Sequence, residues 1–169
     1  ESPMTRYRRM YGNRPERARQ FTYADAPDGK NKAVYRDGKV FIKETNGNSE
    51  TTVTTDGAEI KRIKYGSATW VYGEELAQTT AMWWSPDSKK LAFYKFDYTK
   101  VRDYFLQYKQ TELYDSLEVE PYTKVGAINP EVGLMIYDVE SKKTVTVDVR
   151  DGQPLTDQSV GHYIYDIHW

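Results

Sequence analysis

The chain has 169 residues, 24 basic and 25 acidic side chains and a net charge of -1, so no global field draws it to nucleic acid or to an anionic membrane. It has no cysteine, which excludes disulfides, thiolate catalysis and cysteine-zinc sites, and its two histidines, His162 and His168, are too few for a histidine-rich metal site, so no cofactor is expected. No apolar run approaches the roughly 18 residues of a membrane helix, while 38% hydrophobic residues, with 15 tyrosines among the aromatics, supply a core rich in strand formers.

Residues 1–20 are a compositional zone of their own. Arg6, Arg8, Arg9, Arg14, Arg17 and Arg19 face only Glu1 and Glu16. A solvated terminal arm is expected there, because the rest of the chain offers no matching basic face for nucleic acid. The opening stretch, ESPMTRYRRM, lacks the apolar centre of a signal peptide and does not begin with Met, so the chain reads as a piece of a longer protein.

Residues 21–169 read as short strands separated by turns. Ala33–Arg36 and Val40–Lys43 flank Asp37-Gly38, a two-residue hairpin signal. Thr51–Thr54 follows, closed by Asp56-Gly57. Helical periodicity is weak throughout, and one short helical turn is expected near Glu74–Gln78. Ala81–Trp84 and Leu91–Phe96 come next. Val101–Pro121 then looks like a long insertion, populated by Tyr104, Tyr108 and Tyr114, with Tyr122 just beyond. Leu134–Val139 and Thr144–Val149 form a last pair, turned at Ser141-Lys142-Lys143.

An internal repeat runs through this pattern. Ala26-Pro27-Asp28-Gly29 and Ser85-Pro86-Asp87-Ser88 each precede an apolar strand. Proline presets φ at the second turn position and aspartate suits the third. Tyr163–Trp169 resembles the strand before the second copy, so a third unit is expected to begin there. Repeated antiparallel units with one turn signature indicate an all-β fold, a partial β-propeller. Its open edge strands favour pairing with a second copy. Trp83 and Trp84 are adjacent in one strand and must face opposite ways. One is expected between blades and the other toward a chamber or a neighbouring segment.

The stretch VYGEEL places Glu74 and Glu75 side by side between the aromatic runs TWVY and MWW. Adjacent carboxylates repel, and burial raises the pKa of at least one of them. A bound ammonium relieves both penalties. Taken alone, the hexapeptide better fits solvated glutamates at the N-terminus of a helical turn, where acids are mildly favoured, and only its flanking blocks turn the reading toward a binding pair.

Three blocks carry a resemblance to a known family. TWVYGEEL, MWWSPDSKKLAFYKFDYTKV and PYTKVGAINPEVGLMIYDVE occur in the order and spacing of the N-terminal propeller region of the dipeptidyl peptidase IV family. These are serine exopeptidases of the prolyl oligopeptidase clan. The resemblance covers Trp70 to Val139, and the Pro27–Lys43 hairpin extends it. It implies a propeller capping a C-terminal α/β-hydrolase domain, with Glu74 and Glu75 clamping the free N-terminal amine of peptides cleaved after Pro or Ala. It adds Tyr72 of the same motif as a further substrate contact. It also implies a secreted or periplasmic protein and a homodimer to which the Val101–Pro121 insertion contributes. The sequence departs from the family pattern at Gly73, where an acid often stands, at Thr69, at Arg102 and in Tyr122-Thr123-Lys124-Val125-Gly126. The family's substrate-facing arginine has no assignable counterpart in the arm.

No Gly-x-Ser-x-Gly elbow, phosphate-cradling loop or spaced metal-ligand cluster is present. The segment is therefore expected to select substrate and to hold no catalytic residue of its own. The alternative is a non-catalytic propeller scaffold that binds proteins or peptides, since propellers host many functions. Glycan binding by exposed aromatics has only composition behind it.

Overall fold

A computed structural model describes residue 15, residues 18–157 and residues 162–169. Arg6, Arg8, Arg9, Arg14 and Arg17 of the arm lie outside the described residues. Eleven strands and one short helix follow in chain order among the described residues: β1 (Tyr23–Asp25), β2 (Asn31–Arg36), β3 (Lys39–Glu44), β4 (Glu50–Thr52), β5 (Ile63–Tyr65), α1 (Trp70–Glu74), β6 (Met82–Trp84), β7 (Lys90–Asp97), β8 (Asp103–Tyr108), β9 (Ser116–Pro121), β10 (Glu131–Asp138) and β11 (Lys143–Val147).

The first sheet is an antiparallel meander, β1-β2-β3-β4. Its β2–β3 hairpin turns at Asp37-Gly38, where φ is 47° and 73°, the paired positive values that match the twist of two strands. The second sheet runs β11-β10-β7, and the free edge of β7 is shared by two short strands. β6 pairs with Leu91–Phe93 and β5 pairs with Lys95–Asp97. Between them Tyr94 accepts from the Gly66 N–H at 2.8 Å and donates to the Ala81 carbonyl at 3.2 Å. The ladder is thus continuous although the chain leaves it at residue 67 and returns at residue 81.

Period-two alternation divides the second sheet between two cores. Met82, Trp84, Leu91, Phe93 and Tyr137 pack against Ala26, Ala33, Val40 and Ile42 of the first sheet. Ala81, Ala92, Tyr94, Phe96, Val132 and Leu134 face the other way, with Tyr72, Tyr98 and Val101. Each large side chain fully buried in this way contributes about 1.5–3 kcal/mol. Trp84 is the inter-sheet tryptophan, and its indole N–H donates to the Ala24 carbonyl at 2.9 Å. Trp83 points the opposite way, edge-on to Tyr94 at 4.8 Å between centroids. The two sheets form an arc of a propeller and not a closed ring.

The repeat is real at atomic level. Gly29 N–H donates to the Ala26 carbonyl, and Ser88 N–H to the Ser85 carbonyl, both at 2.9 Å. The Asp28 and Asp87 carboxylates accept from the Lys30 and Lys89 amides. The two turns also touch, since the Asp28 N–H donates to Ser88 Oγ at 3.0 Å.

The Val101–Pro121 insertion, lying between β7 and β10, folds into a two-stranded hairpin, β8–β9, carrying exposed Phe105 and Leu117. One expectation shifts. Tyr163–Trp169 is not a strand. Its Ile164 N–H donates to the Tyr72 hydroxyl and its Asp166 N–H to Gln78 Oε1, so side chains take the place of a ladder. Asp166 at φ 58° breaks the extended run. His162 and His168 lie in this irregular stretch, whose Ile164 and Ile167 cover the second core.

Candidate functional site

The glutamates sit on the excursion between β5 and β6. The helical turn expected near Glu74–Gln78 is present and runs from Trp70 to Glu74, with Glu75 as its C-cap. Glu75 N–H donates to the Val71 carbonyl and Gln78 N–H to the Tyr72 carbonyl, both at 2.8 Å. Ala77, at φ 51°, ends the turn. The pair thus occupies the C-terminal end of a helical turn, the end where acids are disfavoured. Helix-dipole stabilisation does not account for the two charges. Glu74 is half-buried and Glu75 exposed, and among the described residues the Glu75 carboxylate has no cationic partner.

Three supports hold this turn. The first is Tyr72, which is 1% exposed. Its ring meets Tyr94 at 5.5 Å and Phe96 at 5.3 Å, both edge-on, and burial pushes its phenol above the ordinary tyrosine range. Tyr72, suggested as a further substrate contact, has its side chain in the second core, where it anchors the helix from behind. The second is Gln78, whose amide donates to the Tyr94 hydroxyl at 2.9 Å while its oxygen accepts from Asp166. The third is the chain entering the first sheet. A Cβ on Gly73 would lie 2.6 Å from the Ala18 carbonyl oxygen, so only glycine admits the Ala18 backbone there. That contact explains the missing acid before the pair.

Arg19 is the arm arginine within the described residues. Its guanidinium binds Glu120 at 2.9 Å and also Glu118, both on β9. Sequence reasoning could not place it, since its partners lie about a hundred positions away. A trace of the Ala18 contact was legible, because a glycine inside a helical turn asks for a reason.

Other cavities surround the site. One of about 100 Å³ is lined by Trp70, Phe96, Tyr122, His162 and Tyr163. A larger one, about 670 Å³, lies under the β8–β9 hairpin between Lys100, Arg102, Tyr104 and Lys124. Neither has Glu74 or Glu75 in its wall. Size is a poor guide here, because two carboxylates recognise a cation by charge and need no deep cleft. Among the described residues no group of three or more His, Asp or Glu is placed to hold a metal.

The "Probable dipeptidyl-aminopeptidase B" of Arthroderma gypseum is 33% identical over 131 residues, covering 70% of this chain and 14% of that protein. The protein of the same name from Tuber melanosporum is 33% identical over 158 residues, covering 83% and 17%. The chain thus spans about a sixth of the length of these curated relatives. The crystal structure of Porphyromonas gingivalis dipeptidyl peptidase 4 superposes with a TM-score of 0.67 at 34% identity, covering 81% of this chain and 19% of that one. A putative dipeptidyl aminopeptidase IV from Bacteroides ovatus shares the fold, with a TM-score of 0.58 at 23% identity over 78% of this chain and 17% of that one. The model of the dipeptidyl peptidase IV (DPP IV) N-terminal region matches residues 11–169, and the chain belongs to that family.

Proposed function

We propose that this chain is the substrate-selecting propeller segment of a dipeptidyl-peptidase-IV-like serine exopeptidase. Glu74 and Glu75 bind the free N-terminal amine of peptides cleaved after Pro or Ala. The nucleophile and its partners belong to an α/β-hydrolase domain elsewhere in the parent polypeptide. The observation that supports this reading is the position of the pair. Two adjacent carboxylates end a helical turn that is inserted into one sheet edge and anchored in the core by Tyr72.

An ammonium held about 4 Å from a carboxylate in a partly shielded site gains about 4 kcal/mol before desolvation is subtracted. A blocked amine or an internal peptide segment forfeits that gain and leaves both carboxylates crowded against a neutral group. The clamp thereby measures a fixed distance from the peptide's N-terminus.

The test is steady-state kinetics on the parent protein with a Gly-Pro amide bearing a chromogenic leaving group, as the free amine and as its N-acetyl form. Glu74→Gln and Glu75→Gln are each expected to lower kcat/KM on the free amine by about 100-fold. They should also narrow its advantage over the acetylated substrate. Wild-type kinetics in both variants would refute the clamp.

A further inference from the structure

Residues 18–21 run along the excursion that carries the glutamates and touch it on both sides of the pair. Ala18, itself buried, lies against Gly73, the residue immediately before Glu74. Gln20 Nε2 donates to the Gln78 carbonyl at 2.9 Å, and Phe21 N–H donates to the Thr79 carbonyl at 2.8 Å. Glu74 and Glu75 are thus bracketed by contacts from one short strap.

Arg19 sits in the middle of that strap. Its Nη1 and Nη2 bind Glu120 and Glu118, alternate residues on one side of β9, and the Glu120 side chain is only 14% exposed. Without the guanidinium these two carboxylates would repel each other, one of them largely desolvated. The strap is pinned at its centre to the hairpin and at its ends to the excursion.

We infer that Arg19 is a positioning residue for the amine site, acting through the Ala18–Gly73 contact to hold the Glu74-Glu75 turn in register. The inference rests on the amine-clamp reading for its kinetic consequence and on contacts alone for its mechanical one. Arg19 does not touch the substrate in this scheme, because both of its Nη groups are committed to β9. Among the described residues the excursion's own backbone ties between Gly73 and Thr79 are local, the Glu75, Leu76 and Gln78 amides donating within the turn. Its last turn is closed by the Glu75 and Gln78 amides, which donate to Val71 and Tyr72. Loosening the strap frees that turn and misaligns two carboxylates whose value depends on both reaching one ammonium.

The experiment uses the parent protein with Arg19→Ala, Arg19→Lys and Gly73→Ala. The last attacks the same contact from the opposite side, since its Cβ must displace the Ala18 backbone. KM for the free-amine Gly-Pro substrate is expected to rise about tenfold in Arg19→Ala and Gly73→Ala with kcat within about twofold, because the amine contact is made equally in the ground and transition states. Arg19→Lys should recover part of the loss. Hydrogen exchange at the Glu75 and Gln78 amides is expected to quicken in the first two variants. Wild-type KM in both overturns the positioning role, whatever exchange shows. If the wild-type protein shows no preference for a free amine, the amine-clamp reading falls. The strap is then judged by exchange alone, and unchanged exchange at Glu75 and Gln78 overturns it too.

Discussion

Ser88 occupies a position that its counterpart in the first repeat gives to glycine. Its φ is 59°, against 70° at Gly29. A non-glycine residue in that region costs about 1–2 kcal/mol. The serine repays part of this through Oγ, which accepts the Asp28 N–H and ties one blade turn to the other. Ser88→Ala keeps the strain and orphans that amide, so it should lower stability by about 1–2 kcal/mol in urea unfolding. Ser88→Gly relieves the strain while losing the same bond, and its loss should be clearly smaller. A Gly variant as destabilised as the Ala variant would contradict this account. The two turns were legible in the sequence because Pro-Asp chemistry is local. Their mutual contact was not, since nothing within four residues of Ser88 reports on Asp28. The same holds at the site. Glu74 and Glu75 announce themselves as neighbours, whereas the Arg19 link joins segments far apart in the chain.

Elements divide along similar lines. β2, β3, β7 and β10 were readable because each alternates between a buried face and another, or is buried on both. The hairpin β8–β9 read as an insertion, since both of its faces are largely exposed and leave no buried period in the sequence. The helical turn was expected too late in the chain. Val71 and Gly73 are poor helix formers, and the turn begins where it does because the sheet edge releases the chain near Gly66, a tertiary cause. The hairpin's root is equally tertiary. The Arg62 guanidinium donates to the Tyr98 carbonyl at 3.1 Å and the Val101 carbonyl at 2.6 Å, and pairs with Asp103 at 2.7 Å. Arg62→Ala removes all of these restraints where the ribbon leaves the second sheet. Limited chymotrypsin cleavage within the hairpin should quicken by about tenfold, while the sheet cores stay protected. Unchanged cleavage would show that the ribbon is held by something other than its root.

On the scale of the whole molecule, the second sheet is covered on one face by the first sheet and on the other by α1 and residues 162–169. That second core is built from tyrosines. Burial pushes the Tyr94 phenol up to about 12 and raises those of Tyr72 and Tyr98 as well. A phenol that holds its proton more tightly folded than unfolded adds stability that is complete below the unfolded value near 10. That stability is lost as pH climbs from there through the folded value. The urea midpoint should therefore be insensitive to these groups near neutrality and fall steeply between about pH 10 and 12. Tyrosinate absorbance should develop in step with unfolding for this set. Full ionisation of every tyrosine while the native midpoint persists would rule the account out. The shared edge of β7 carries one more consequence. Because Tyr94 bonds both Gly66 and Ala81, the stem of the excursion is clipped shut by a single residue of the neighbouring strand. What lies between is tied to the framework at few points, chiefly Tyr72, Gly73, Gln78 and Thr79. With those positions kept, the exposed side chains of the excursion, Glu75 among them, can be exchanged without shifting the register of β5 or β6.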